Sequence, residues 1–492
     1  MDFPVSVRDI FLFNSANPIS FISGLFLVLF TIFILVYSFF YKNSVARKWL
    51  LIFISLFFYY KLTGVLFLVI FIPVVVDFFI ARQLRVTKSE GRRKLWLYIS
   101  VLISVGLLVY FKYTNFFIEI VNSIGGSSFS TLKILIPVGI SYYIFRTISY
   151  VVDVYNEKME AVSDLSDYLL YMTFFPLLIS GPITRAELFL PQLNSDSSIS
   201  KENINQGMYL VMKGIIKKAI IADYLGMYVN IVFSVHGGFT GFENLMGILG
   251  FAMQLYFDFS GYTDIAIGIS TILGFKIGIN FNQPFKASSI TDFWRRWHIS
   301  LSEWLRDYIF TPLNFYMRKL KIWGAIFAII ITFLLCGIWH GASFTFVLWG
   351  LCYGLAMAWE IATRNVIGAL GKHVHKNIIR FFGWFFTFAF VVSMLVLLRA
   401  DSVQAAWNIY AKLFTNMDLY YVAPFVRIRY LYVAVICTAF ILVFMSHKIK
   451  EKISYYFVVS PLIVKIIVFF AVGIVFIEFQ SQQIQSFLYT KF

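Results

Sequence analysis

Long apolar runs separated by short basic loops dominate the chain. About 20 apolar residues are needed to cross the hydrocarbon core of a bilayer. Runs of that order recur at 19–40, 64–81, 96–112, 132–150, 206–234, 243–272, 322–340, 343–361, 380–398, 429–446 and 460–478. Shorter or broken runs at 49–60 and 167–181 fit re-entrant or interfacial segments. The pattern predicts an all-α polytopic membrane protein with about 11 spanning helices and several partial ones. No hydrophilic block approaches the size of a soluble domain, so residues 1–492 read as a single membrane-embedded domain. There is no internal repeat and no low-complexity segment.

One stretch breaks the rhythm. Residues 274–318 hold Lys276, Lys286, Asp292, Arg295, Arg296, Glu303, Arg306, Asp307 and Arg318, interleaved with Trp294, Trp297 and Trp304. This segment is too charged to span and too aromatic for an ordinary loop. Thr291 or Asp292 can cap a helix start, and Pro312 would end it. At roughly 100° per residue, Trp294, Trp297, Leu301, Trp304, Leu305 and Tyr308 share one face. Arg295, Ser302 and Arg306 share another, with His298 at the seam. The spacing predicts one amphipathic helix lying against or dipping into the membrane. A plain peripheral anchor is the competing reading.

Composition sharpens the class. The chain is 60% hydrophobic and 13% charged, against roughly 25% charged in soluble domains, and its mean hydropathy is +0.79. The formal net charge of +16 comes largely from short loops such as Arg82–Lys94 and Lys372–Arg380. Such loops stay cytoplasmic. Topology and lipid headgroups account for them, with attraction of a polyanionic donor such as coenzyme A as the sharper alternative. The basic residues flank spans and form no soluble face, which argues against nucleic acid. Met1-Asp2-Phe3-Pro4 lacks a basic leader, and Lys42, Arg47 and Lys48 follow the first run. The expected topology is an N-terminus outside and a 42–48 loop inside. Cys336, Cys352 and Cys437 sit in apolar runs without metal-like spacing and read as buried free thiols.

An ionisable side chain in an apolar span is costly and marks a candidate functional site. His340 is such a residue, in Phe333-Leu334-Leu335-Cys336-Gly337-Ile338-Trp339-His340-Gly341-Ala342-Ser343. His298 precedes it in Trp294-Arg295-Arg296-Trp297-His298. Histidine titrates nearest neutrality and suits general-base chemistry. The small residues after His340 would leave room for a channel. A hydrogen-bonded structural histidine is the equal alternative on these residues alone. Upstream, Asp258, Ser260, Tyr262 and Asp264 crowd an apolar run, and the acids need partners, for which Arg295, Arg296 and Arg306 are candidates. A structural ion-pair network and the orientation of a histidine both remain open. P-loop, dinucleotide-binding, nucleophile-elbow and zincin motifs are absent, and the histidines lack metal-ligand spacing. His236, His373, His375 and His447 carry no assigned role.

With these residues in view, the chain resembles the membrane-bound O-acyltransferase family, and within it the branch of the alginate O-acetyltransferase membrane subunit. The match runs through Phe257-Asp258-Phe259-Ser260-Gly261-Tyr262-Thr263-Asp264, Asn280-Phe281-Asn282-Gln283-Pro284-Phe285, Asp292-Phe293-Trp294-Arg295-Arg296-Trp297-His298, and Gly337-Ile338-Trp339-His340-Gly341-Ala342-Ser343. Weaker matches extend it from Pro137 to the aromatic tail Phe487–Phe492, with the core motifs over about 130–360. Two departures stand out. Asn314-Phe315-Tyr316 replaces the paired glycines usual in that branch, which leaves the acceptor or partner open, and Phe344 replaces a tryptophan.

The resemblance implies spanning and re-entrant helices around a central tunnel in a bacterial cytoplasmic (inner) membrane. It implies His340 as catalytic base and His298 as second catalytic histidine. Trp294, Arg295, Trp297, Ser302, Asp307, Asn282, Trp339, Asp258 and Tyr262 are expected along the tunnel or substrate path. No bound cofactor or metal is expected. Acetyl-CoA is the implied acyl donor, a periplasmic or extracellular esterase-like acetyltransferase the implied partner, and an extracytoplasmic polysaccharide the acceptor. The alternative within the family is a D-alanyl transferase for teichoic acids fed by a carrier-protein thioester. A lipid-linked glycan transporter and a non-catalytic scaffold are alternatives of other classes.

Overall fold

The computed structural model describes residues 10–14, 18–193, 199–235, 238–370 and 372–480, with the side chains of 370 and 476–480 excepted. The segment Met1–Pro4, His236 and the aromatic tail Phe487–Phe492 lie outside them. The described residues form helices and no strand.

Among the described residues, fewer helices than the 11 expected spans are long and apolar enough to cross a membrane. Five are: Ser44–Val86, Glu90–Gly125, Ile322–His340, Phe344–Ala369 and Lys376–Arg399. Two bent pairs, Leu419–Ile428 with Tyr430–Phe444 and His447–Val459 with Leu462–Val475, raise the number to seven if each is one span. The difference has local causes. The run at 19–40 yields Gly24–Phe40, which at 17 residues falls short. The run at 132–150 becomes helical only from Ile140. The run at 206–234 contains a π-helical turn, Ile216–Ala222, that carries two lysines. Gly241–Ile272 is long enough at 32 residues but holds Glu243, Asp258 and Asp264.

The chain divides into two compact units, Met1–Val211 with Thr263–Gly278, and Met212–Tyr262 with Ile279–Phe492. In the first, Phe71–Val86, Glu90–Leu108 and Ile140–Tyr155 pack on one another. Small polar groups line that seam: Ser100 Oγ donates to Asp77 at 2.6 Å, and the Ser104 and Thr147 hydroxyls lie 3.3 Å apart. Helices packing in lipid gain little from hydrophobicity and use such contacts instead. The buried Arg146 guanidinium stacks 4.5 Å over the Tyr171 ring.

In the second unit, Ile322–His340 and Phe344–Leu370 form a tight hairpin. Gly337 and Gly350 permit it: a Cβ added to Gly337 would stand 3.0 Å from the Gly350 Cα. Along Ile322–His340, Phe327, Ile331, Leu335 and Ile338 are exposed, a stripe suited to lipid. Ile329, Phe333, Cys336 and His340, spaced four, three and four residues apart, are buried on another face. Helical periodicity thus directs His340 into the protein. Of the three thiols only Cys336 is buried; Cys352 is half-buried and Cys437 exposed, because its run presents that face outward.

Candidate active site

His340 is the last residue of Ile322–His340, 3% exposed, and Gly341 follows in extended backbone. Its ring lies 4.8 Å from that of Trp339 and edge-on to Trp349 at 5.0 Å. Trp349 sits on the second arm of the hairpin, so the Gly337–Gly350 contact sets this distance.

The second histidine arrives on a broken element. The expected single helix through 292–308 does not form. Ile290–Trp294 is one short helix and Ile299–Leu305 another. Between them His298 takes a left-handed backbone, φ 43°. That conformation is unfavourable for a side-chain-bearing residue and is held only where the surroundings over-determine it. The break turns residues expected at a membrane surface into core: Trp294, Trp297 and Trp304 are each 5% exposed and His298 0%. The cap of the first piece is Ser289, whose hydroxyl accepts from the Asp292 N–H at 3.0 Å, in place of Thr291 or Asp292. Pro312 ends nothing. The chain stays helical from Ile299 through the π-helical turn Arg306–Phe310 to Tyr316, so Pro312 lies inside the run, directly after the widened turn.

Three residues outside the expected set hold these pieces. Asn280 Oδ1 accepts from the Ser300 N–H at 3.2 Å and the Ser300 hydroxyl at 2.9 Å, while the Asn280 carbonyl accepts from the Ile299 N–H at 3.0 Å. Glu360, on Phe344–Leu370, accepts from the Ile290 N–H, the Thr291 N–H and the Thr291 hydroxyl at 2.5, 3.0 and 2.6 Å. A carboxylate thus caps the short helix bearing Trp294. Lys218, from the π-helical turn, donates to Asp258 at 2.6 Å and Asp223 at 2.7 Å. Asp258 thus has Lys218 as a partner, a cation outside the three arginines expected. Arg296 pairs with Asp292 at 2.8 Å and Arg306 with Asp307 at 2.7 Å, each within its own segment. Glu360 and Lys218 were detectable as charges inside apolar runs; Asn280 carried no such signal.

The Phe259 ring meets the His298 imidazole edge-on at 4.7 Å, and Trp339 lies 6.3 Å away on another side. His298 belongs to no spanning helix. Burial, and behind it the nearby His340, hold its imidazole well below the ordinary histidine value. It is neutral at pH 7.

Two spaces lie beside Trp294. A cavity of about 380 Å³ is lined by Trp294, Arg295, Ser302, Glu303 and Arg306 on its polar side and by Phe333, Met357 and Ile361 on its apolar side. A chamber of about 10 Å³ is lined by His340, Trp297, Trp349, Tyr353 and Leu398, among others. A chamber of that size holds about one water. Trp294 lines both. The indole N–H groups of Trp294 and Trp349 are buried without a hydrogen-bond partner among the described residues.

The structure therefore brings His340, His298, Trp294, Trp297 and Trp339 together, with Arg295 and Ser302 on the larger cavity. Asp258 and Tyr262 are buried, each 1% exposed, and Asp258 serves the ion-pair triad. Asn282 is exposed and holds the site only through its backbone, its N–H donating to the Arg296 carbonyl at 2.9 Å. Asp307 is half-buried against Arg306 and lines neither space.

Glu360→Gln is expected to cost about 1–2 kcal/mol, since an amide oxygen replaces a carboxylate that accepts three bonds. Any reaction beside Trp294 should slow about tenfold as that side chain loses its anchored helix. Thermal unfolding and initial rates check both; a variant indistinguishable from wild type in both would remove the positioning role.

Sequence comparison bears directly on this arrangement. A profile of the membrane-bound O-acyltransferase family matches residues 131–399, which hold both histidines, Asn280 and Glu360. The chain is 36% identical over 402 residues to the Pseudomonas aeruginosa "Probable alginate O-acetylase AlgI", covering 80% of this chain and 75% of that protein. It is 34% identical over 399 residues to the peptidoglycan O-acetyltransferase of Helicobacter pylori, covering 75% of this chain and 74% of that one. Similarity to the teichoic acid D-alanyltransferase of Bacillus subtilis is 34% over 230 residues, 44% of this chain and 57% of the relative. The protein belongs to the membrane-bound O-acyltransferase family and is a multi-pass membrane acyltransferase.

Proposed function

We propose that the protein moves an acetyl group from a cytoplasmic thioester, acetyl-CoA, to a hydroxyl of an extracytoplasmic polysaccharide, working in a bacterial inner membrane. The observation that carries this reading is His340, buried at a helix end beside a tryptophan-walled chamber, next to a second buried histidine. Neutral imidazole at His340 takes the proton of the acceptor hydroxyl as its oxygen attacks the thioester carbonyl. The C–S bond then breaks, and the thiolate leaves with that proton. His298, neutral and locked between Phe259 and Trp339, orients the reacting groups. Holding the thioester away from bulk water limits its hydrolysis, and alignment with the acceptor supplies proximity.

The 380 Å³ cavity, with Arg295 and Ser302 on its wall, suits the approach of the donor arm toward Trp294. The names of two long-matching relatives, an alginate and a peptidoglycan O-acetylating protein, favour a polysaccharide acceptor. An esterase-like acetyltransferase outside the membrane would supply that acceptor hydroxyl and pass the acetyl group on to the glycan as a relay. Mass spectrometry of the cell's glycans, with and without the gene, tests the reading. Acetyl esters that vanish with the gene support it; loss of D-alanyl esters instead, with acetyl content unchanged, replaces it with the shorter-matching relative's chemistry.

A further inference from the structure

Two buried N–H groups belong to the wall of the His340 chamber. Trp294 and Trp349 are 5% and 2% exposed, and neither indole N–H has a hydrogen-bond partner among the described residues. A donor buried without an acceptor is destabilising, and a buried tryptophan N–H ordinarily finds one. The ordinary reading is an apolar wall that carries this cost, or a single ordered water that accepts from the rings. Phe293, Leu395 and Leu398 build the same wall with no such cost. Two indoles on one small chamber therefore point to an acceptor that comes and goes.

The chamber is one-sided in its chemistry. Among the described residues that line it there is no carboxylate, no carboxamide, no lysine and no arginine. A permanently charged anion would call for a cation, whereas neutral N–H donors suit an oxygen that is charged only in passing. The donors are also held in place. The Trp294 and Trp349 rings stand 5.8 Å apart at 78°, and Tyr353 packs against them at 5.3 and 4.7 Å. Trp349 meets the His340 ring at 5.0 Å. The helix bearing Trp349, Phe344–Leu370, also carries Glu360, whose carboxylate caps Ile290–Trp294. One helix thus fixes both indoles before any substrate enters, and donors set in advance need no reorganisation as charge develops.

We propose that the indole N–H groups of Trp294 and Trp349 form the oxyanion hole for acyl transfer at His340. As the acceptor oxygen bonds to the thioester carbon, the carbonyl π pair moves onto the carbonyl oxygen, to which both N–H groups donate. The pair returns as the C–S bond breaks, and the thiolate leaves with the proton held at His340. This rests on the role of His340 proposed above, and not on which acyl group or acceptor is used.

The test uses membrane vesicles from cells expressing the full-length chain. They are supplied with acetyl-CoA or with a D-alanyl carrier-protein thioester, and thiol release is followed. Trp294 or Trp349 is replaced by benzothienylalanine, whose sulfur takes the place of the N–H while the ring keeps its shape. The same replacement at Trp323, 61% exposed, is the control. Each chamber variant is expected to lose about 10²-fold in kcat with little change in KM, and the control nothing. The unfolding temperature in detergent should not fall, because the N–H removed has no protein partner. Wild-type kcat in either chamber variant overturns the two-donor site, as does a loss confined to KM or matched at Trp323. Turnover of the D-alanyl thioester in place of acetyl-CoA would end the acetyl reading, yet the same kcat losses would uphold this one. If wild-type vesicles turn over neither thioester, both fall.

Discussion

His340→Ala is expected to abolish acyl transfer, by at least about 10³-fold, while the protein still inserts and accumulates in the membrane. The imidazole ends a helix whose packing is set by Ile329, Phe333 and Cys336 and by the Gly337–Gly350 contact, none of which the substitution touches. Truncation enlarges a chamber that already exists, so the stability loss should stay near 1–2 kcal/mol. What disappears is the group able to take a proton. His340→Gln, which fills similar space but cannot act as a base at neutral pH, should be equally inactive. Glycan ester content and membrane protein level, measured together, decide the matter; wild-type ester content in either variant removes His340 from the chemistry.

Lys218→Met is expected to be the most destabilising single change in this region, by about 3–5 kcal/mol. Lys218 and Asp258 are each 1% exposed, and Asp223 completes the triad at 13%. Removing the lysine leaves two buried carboxylates without their shared cation, whereas replacing all three groups removes the charge altogether. Lys218→Met should therefore lower the unfolding temperature in detergent sharply, and Lys218→Met/Asp223→Asn/Asp258→Asn should recover most of the loss. Activity should follow stability, because Phe259, next to Asp258, is the ring against which His298 rests. A single variant as stable as wild type would mean that the triad bears no weight in the fold.

The class of the protein, its apolar helices and the two histidines were legible along the chain because each is a local property. A long apolar run has few folded solutions outside a bilayer, and a charge within one is conspicuous at any distance from its partner. The same argument reached Asp258 but not Lys218. Arg296 and Arg306 satisfy neighbours one to four residues away, and Lys218 reaches Asp258 across 40 residues. Periodicity also failed where the chain bends. Trp294, Trp297 and Trp304 fit one helical face, yet the left-handed backbone at His298 divides that helix and buries all three.

From the sequence alone follow a membrane-embedded helical protein, the residue types capable of acyl transfer, and the kinship that joins them. Only the tertiary structure decided that His340 and His298 share one neighbourhood with Trp339, that Glu360 and Asn280 hold the short helices in place, and that Trp294 divides the space beside them. The reason is physical. Burial and periodicity are written in each segment, whereas a hydrogen bond across 70 residues, as from Ile290 to Glu360, exists only once every intervening helix has packed.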